Sequence, residues 1–151
     1  MWNRADPKLS HGRQRPWCPV CAEPFFQDPK VAAAVIVEGP EGLLLVQRGN
    51  EPYKGFWTLP AGFVDADEDP RDAAIRECLE ETGLRVAITS MFDIYYGKDH
   101  PRGADFVLFY NANLEGGELV AGDDAEKAAW FARGQFPPLA FPSTNYILSN
   151  L

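Results

Sequence analysis

Apolar and polar residues alternate along the chain in blocks of different period. "VAAAVIV" (31–37) and "GLLLVQR" (42–48) are continuous apolar runs separated by the turn-forming "EGPEG", which predicts a β-hairpin with well-buried strands. "GFWTLPAGFV" (55–64) mixes aromatic and branched residues with Gly and Pro, predicting short extended pieces and a loop. The period then becomes helical. Asp69 suits an N-cap, Pro70 the first helical position, Asp72 a capping-box acid, and Gly83 the position just past the end, so a helix is predicted over 69–82. "LRVAITSMFDIYYG" and "ADFVLFYNANL" read as strands joined by the turn "KDHPRG", and "KAAWFAR" (127–133) as a further strand. "FPSTNYILSNL" closes the chain as a short helix capped by Ser143 or Thr144, with Ile147, Leu148 and Leu151 apolar. The order β-β-loop-α-β-β-β-α predicts an α/β fold, a mixed sheet with helices packed on its faces.

The first 30 residues break this pattern. They are rich in Pro, Arg and polar side chains and read as an arm, leaving 31–151 as one domain large enough to bury a core. Their polar start lacks the apolar stretch of a signal peptide, and no run approaches the ~18 apolar residues of a membrane span, so a cytoplasmic protein is expected, with no membrane partner. The formal net charge of −8 argues against binding nucleic acid through a basic face. Eight acids and two bases between Gly62 and Leu84 account for −6 of that −8. Such a local excess needs a local partner. The three cysteines make no disulfide framework: Cys78 falls among apolar helix positions, and Cys18 and Cys21 form "CPVC".

On a helical wheel Ile75, Cys78, Leu79 and Thr82 share one face, suited to the sheet and the core. Glu77, Glu80 and Glu81 share roughly the opposite one, as i, i+3 and i+4 neighbours that repel each other mildly. A solvated acidic face, with Arg76 paired to Glu80, is the ordinary alternative. A hard divalent cation would use those oxygens and remove the repulsion. Gly62 adds backbone freedom just before the helix and would let the Ala61 carbonyl turn towards such an ion.

"GFVDADEDPRDAAIRECLEETGL" (62–84) resembles the signature box of the Nudix hydrolases, G-x5-E-x7-R-E-U-x-E-E-x-G-U with U apolar. Gly62, Glu68, Arg76, Glu77, Glu80, Glu81, Gly83 and Leu84 match, while Cys78 stands where an aliphatic residue is usual. The likeness extends over about 31–150. It implies a Nudix-type α/β/α sandwich that hydrolyses a nucleoside diphosphate linked to another group, using Mg²⁺ or Mn²⁺ to activate water and offset phosphate charge. By the resemblance Glu77, Glu80 and Glu81, with the Ala61 carbonyl, would be metal ligands. Glu77 would also deprotonate or orient the water, Arg76 would hold the carboxylates in register, and Glu68 would support them. The catalytic base varies within the family; Asp124 and Glu126 are the candidates here, because Lys127 stands where related sequences often carry an acid.

Substrate choice lies outside the box. Arg48 could contact phosphate, and Tyr53, Phe56, Trp57, Tyr95 and Tyr96 offer stacking surfaces for adenine, with Tyr53 and Trp57 the chosen candidates. "RPWCPVC…FFQDPKVAAAVIV" and "LAFPSTNYIL" resemble the subgroup acting on ADP-ribose, FAD or NADH, and Pro101 lies near where ADP-ribose hydrolases often carry a proline. In that subgroup "CPVC" is usually half of a four-cysteine zinc ribbon. The other pair is missing, so a ribbon remnant is expected; zinc completed by His11 or a second chain is the alternative. Hydrolysis of an ADP-ribose-like small-molecule nucleotide, releasing AMP, is the leading expectation. A triphosphate pyrophosphohydrolase and a non-catalytic ligand-binding regulator are the others. Members of the family are often dimeric, so a homodimer is also expected.

Overall fold

The computed structural model describes residues 6–151. Strands β3 (Val31–Gly39) and β4 (Gly42–Arg48) form the predicted hairpin, followed by β5 (Trp57–Thr58) and β6 (Ala61–Phe63). Helix α1 (Pro70–Thr82) precedes β7 (Leu84–Tyr96), β8 (Phe106–Gly117) and β9 (Ala125–Phe131), and α2 (Pro142–Ser149) closes the chain. Upstream, β1 (Lys8–Ser10) and β2 (Arg13–Arg15) make a separate two-stranded sheet. No described helix is long and apolar enough to cross a membrane.

The main sheet runs β5-β4-β3-β8-β7, with β6 added beside β3 and β9 beside β4. It is mixed, because β3 and β8 run parallel while the other pairs are antiparallel. β3 divides one edge between two partners: Glu38 and Gly39 pair with β4, and Ala32 to Ala34 pair with β6. That division opens the sheet and leaves room for a cavity.

Side chains of β3 alternate between two cores, as the period of a strand requires. Ala33, Val35 and Val37 pack with Ala73, Ala74 and Cys78 of α1. Ala34 and Ile36 pack with Ile147 and Leu148 of α2 on the other face. The α/β architecture with a helix on each side of the sheet is therefore the one expected.

Two helical details differ from the wheel. Leu79 is 46% exposed, and the buried side of α1 is Ala73, Ala74, Cys78, Glu81 and Thr82. Small Ala side chains let the helix approach β3 closely, which rotates Leu79 outward and Glu81 inward. At α2, Phe141 is the N-cap and has no capping side chain; Ser143 and Thr144 are buried instead, and bond elsewhere. Thr144 shares a 2.9 Å hydrogen bond with Thr58.

Around "CPVC", the Cys18 N–H donates to Glu23 O and the Ala22 N–H to Cys18 O, forming a tight knuckle with Cys21 exposed. Among the described residues no third ligating atom joins the two thiols, and His11 lies against Phe26 and Ser10.

Candidate active site

Helix α1 presents its acids at a fixed orientation because both of its ends are tightly held. The Asp69 side chain accepts from Arg71 N at the N-cap, Pro70 occupies the first turn, and Gly83 at φ 74° donates its N–H to Leu79 O. The Asp69–Arg71 pair also holds the Asp69 carboxyl down at about 2.

Arg76 organises the carboxylates. Its Nε and Nη2 donate to the two oxygens of Glu68 at 2.8 and 3.0 Å. Nη1 reaches Glu77 at 2.6 Å and Glu80 at 3.2 Å, and Nη2 also donates to Phe63 O at 3.1 Å. A planar fork with fixed donors holds several carboxylates in one geometry. Hydrogen bonding to Arg76 in turn keeps the Glu68 carboxyl below its ordinary range.

Gly62 proves necessary for space rather than torsion. It has no positive φ, and a Cβ there would fall on the Glu77 carboxylate. Burial pushes the Glu77 carboxyl up, against the opposing pull of Arg76.

Carboxylate oxygens of Glu77, Glu80 and Asp123 lie within 4.8 Å of one another. The sequence points to Asp124, the next residue, and the structure brings Asp123 to the glutamates instead. The turn before β9 is fastened to the end of α1, with Val120 N donating to Thr82 O and Gly122 N to Glu81 O. That attachment, with Asp123 itself at φ 49°, delivers its side chain to the two glutamates. The acidic pair Asp123–Asp124 was the available signal; which of the two turned in depended on the turn. Asp124 lines the neighbouring cavity and accepts from Asn50 Nδ2 at 2.6 Å. Glu126 is exposed on β9 and does not line the cavity.

Glu81 stands outside that trio. It is 8% exposed, and its Oε2 accepts from Ala61 N at 3.0 Å. Burial raises its carboxyl to about 8; Glu77 and Asp123 push the same way, while the Ala61 bond and Arg48 oppose. An all-oxygen donor set of clustered acids, short of positive charge, fits a hard divalent cation.

Glu77, Glu81 and Asp123, but not Glu80, line a cavity of about 670 Å³ walled by β3, β4 and β6, the loops at 50–52 and 99–104, and the start of α2. Arg48 enters it half-buried, with Nε donating to Pro52 O at 2.7 Å and its guanidinium 4.9 Å from the Phe141 ring. Burial lowers the Arg48 pKa, against the pull of Glu81, Asp124 and Glu51. Tyr53 does not line the cavity itself but meets Phe141, which does, edge-on at 5.5 Å.

The other aromatic candidates lie elsewhere. Trp57 packs edge-on to Phe131 at 4.8 Å in the α2-side core and does not line the cavity. Tyr95 packs in the same core, and Tyr96 is 76% exposed beside Phe106. Pro101 belongs to a loop whose neighbours His100, Arg102 and Gly103 do line the cavity.

Comparisons with known proteins agree with this geometry. Residues 28–150 match the NUDIX domain family. An ADP-ribose pyrophosphatase of Methanocaldococcus jannaschii is 41% identical over 118 residues, covering 78% of this chain and 70% of that protein. An NAD-capped RNA hydrolase NudC of Pseudomonas aeruginosa is 32% identical over 81% of this chain, which spans only 43% of that longer protein. Among solved structures, a NUDIX hydrolase from Nitrosomonas europaea superposes with a TM-score of 0.83 at 30% identity, over 94% of this chain and 81% of that one.

Proposed function

The chain belongs to the NUDIX family of hydrolases, and we propose that it cleaves the phosphoanhydride of ADP-ribose or a closely similar nucleoside diphosphate, releasing AMP. The observation that carries this reading is the trio Glu77, Glu80 and Asp123, two of which, Glu77 and Asp123, line a cavity that also admits Arg48. The 41% identity to an ADP-ribose pyrophosphatase supports the choice of substrate.

Glu77, Glu80, Glu81 and Asp123, with the Ala61 carbonyl, would hold Mg²⁺ or Mn²⁺. Bound there, the ion lowers the pKa of water and polarises phosphoryl oxygens. Glu77 accepts the proton of the attacking water or orients it; Asp124, which lines the same cavity, is the alternative base. Glu126, exposed away from the cavity, has no part in this scheme. Arg48 binds a phosphate, and Tyr53 offers a face for the adenine. Arg76 acts through the carboxylates it holds. Water adds to one phosphorus, the bridging oxygen leaves with the other phosphate, and the products from ADP-ribose are AMP and ribose 5-phosphate.

Residues 31–151 form the hydrolase domain in this reading, with 1–30 as an appended arm whose Cys18 and Cys21 are a zinc-ribbon remnant. The cytoplasm is the compartment proposed. A homodimer is part of the same reading, supported by exposed Met91, Ile94 and Tyr96 on the edge strand β7.

A substrate panel with Mg²⁺ tests it: ADP-ribose, FAD, NADH, diadenosine polyphosphates, and normal or oxidised dNTPs, with products separated by chromatography. AMP from ADP-ribose is expected. Preferential turnover of the triphosphates would move the protein to the pyrophosphohydrolase class. No turnover of any diphosphate-linked compound would defeat the proposal.

A further inference from the structure

A diphosphate carries more charge than one arginine offsets, and the cavity offers few free cations. Arg76 lines it but is fully engaged by Glu68, Glu77, Glu80 and Phe63 O. Arg48 is half-buried beside Phe141. The remaining arginine is Arg102, which the loop between β7 and β8 brings to the cavity wall. Among the described residues the Arg102 guanidinium has no ion pair and no hydrogen bond; only the backbone N–H is engaged, donating to His100 Nδ1 at 3.2 Å.

The loop around Arg102 is fastened. At its base Gly97 N donates to Asp105 O, Lys98 pairs with Asp105 at 3.1 Å, and Asp105 accepts from Lys30 N at 2.8 Å. At its tip Gly103 N donates to His100 O. On the cavity lining, Asp99 Oδ2 accepts from Ser143 Oγ at 2.5 Å and from Ser143 N at 3.3 Å. Ser143 is the second residue of α2, whose own N-cap, Phe141, has no side-chain acceptor to offer. Asp99 therefore supplies from 44 residues away the carboxylate that this helix start lacks.

We propose that Arg102 binds the substrate's second phosphoryl group, and that Asp99 is the positioning residue that holds Arg102 there by anchoring its loop on Ser143. This rests on the reading of the protein as a hydrolase of diphosphate-linked nucleotides. It extends that reading by assigning the recognition of the diphosphate to two arginines that line the same cavity, Arg48 from β4 and Arg102 from the loop. A substrate with a single phosphate then has no use for Arg102.

The test is a double-mutant cycle on Arg102→Ala and Asp99→Ala, read as KM and kcat for ADP-ribose and as inhibition by AMP. Arg102→Ala is expected to raise KM about tenfold with kcat within about twofold of wild type, the signature of lost uniform binding. Asp99→Ala raises KM in the same sense. The double variant is no worse than either single, because Asp99 acts through Arg102. Asp99→Asn keeps an acceptor for Ser143 and recovers most of the loss, and Ki for AMP is unchanged throughout. Melting temperatures identify a variant that is merely misfolded, and Ser143→Ala provides a second route to releasing the anchor.

An unchanged KM in Arg102→Ala, or multiplicative losses in the double variant, overturns this inference while leaving the hydrolase reading intact. Should the wild-type protein bind ADP-ribose with Ca²⁺ by calorimetry without turning it over, the same pattern is expected in Kd. Neither binding nor turnover by the wild type defeats both.

Discussion

At the scale of single residues, the site rests on a contrast between two acids of α1. Glu80 is exposed and joins Glu77 and Asp123, whereas Glu81 is buried and bonded to Ala61 N. If both serve the same ion, Glu80→Gln and Glu81→Gln should each lower kcat at least about a hundredfold in a Mg²⁺ assay. Asp123→Asn should also weaken metal activation, measured as a higher Mg²⁺ concentration for half-maximal rate. Retained activity in both glutamine variants would remove the carboxylates from the metal site.

The burial of Glu81 adds a dependence on pH. Its carboxyl sits at about 8 in the metal-free fold against 4.5 ordinarily, so between those values the folded state holds a proton that the unfolded chain has released. Stability of the metal-free protein therefore falls as pH rises through that window. In EDTA, Glu81→Gln should match the wild type below pH ~4 and exceed it by a few kcal/mol, an order-of-magnitude figure, near pH ~8. Melting curves at the two pH values would check this, and a constant difference between the proteins would refute it.

Elements explain which parts of this were legible beforehand. Helix α1 announced itself because its punctuation is local: Asp69, Pro70 and Gly83 each act on neighbouring backbone. Its rotation was not legible, since Leu79 and Glu81 exchange places only when Ala73 and Ala74 meet β3. Likewise Ser143 looks like a cap in sequence, but Asp99 supplies the carboxylate from far along the chain. Trp57, an attractive stacking residue in sequence, is taken by Phe131. Asp123 was one position from the acid chosen, because a residue at positive φ in a turn carries no sequence period.

Two predictions belong to this scale. Gly62→Ala should destabilise the fold by about 1–3 kcal/mol and displace Glu77, lowering kcat as well. Thr144→Val should cost about 1–3 kcal/mol by leaving the buried Thr58 hydroxyl without its partner, with much of that loss recovered in the Thr58→Val, Thr144→Val double variant. Denaturant unfolding measures both.

In the whole molecule, the sheet holds two cores apart, and the cavity opens beside the division of β3, floored by Ala34, Leu59 and Phe109 of the α2-side core. One side of that division carries the carboxylates of α1, and the other carries Arg48 at the end of β4. The family box described the first side almost completely. The second is assembled from β4, the 99–104 loop and α2, which are distant in sequence, and only its individual residues could be nominated in advance. In the proposed reading, recognition of the substrate falls to that second side.

The most direct measurement is therefore the product pattern from ADP-ribose incubated with the protein in Mg²⁺, with EDTA and Glu80→Gln as parallel controls. AMP and ribose 5-phosphate in equal amounts, abolished by EDTA and by the substitution, is the predicted result. Intact ADP-ribose under Mg²⁺, or cleavage that persists in EDTA, would contradict it.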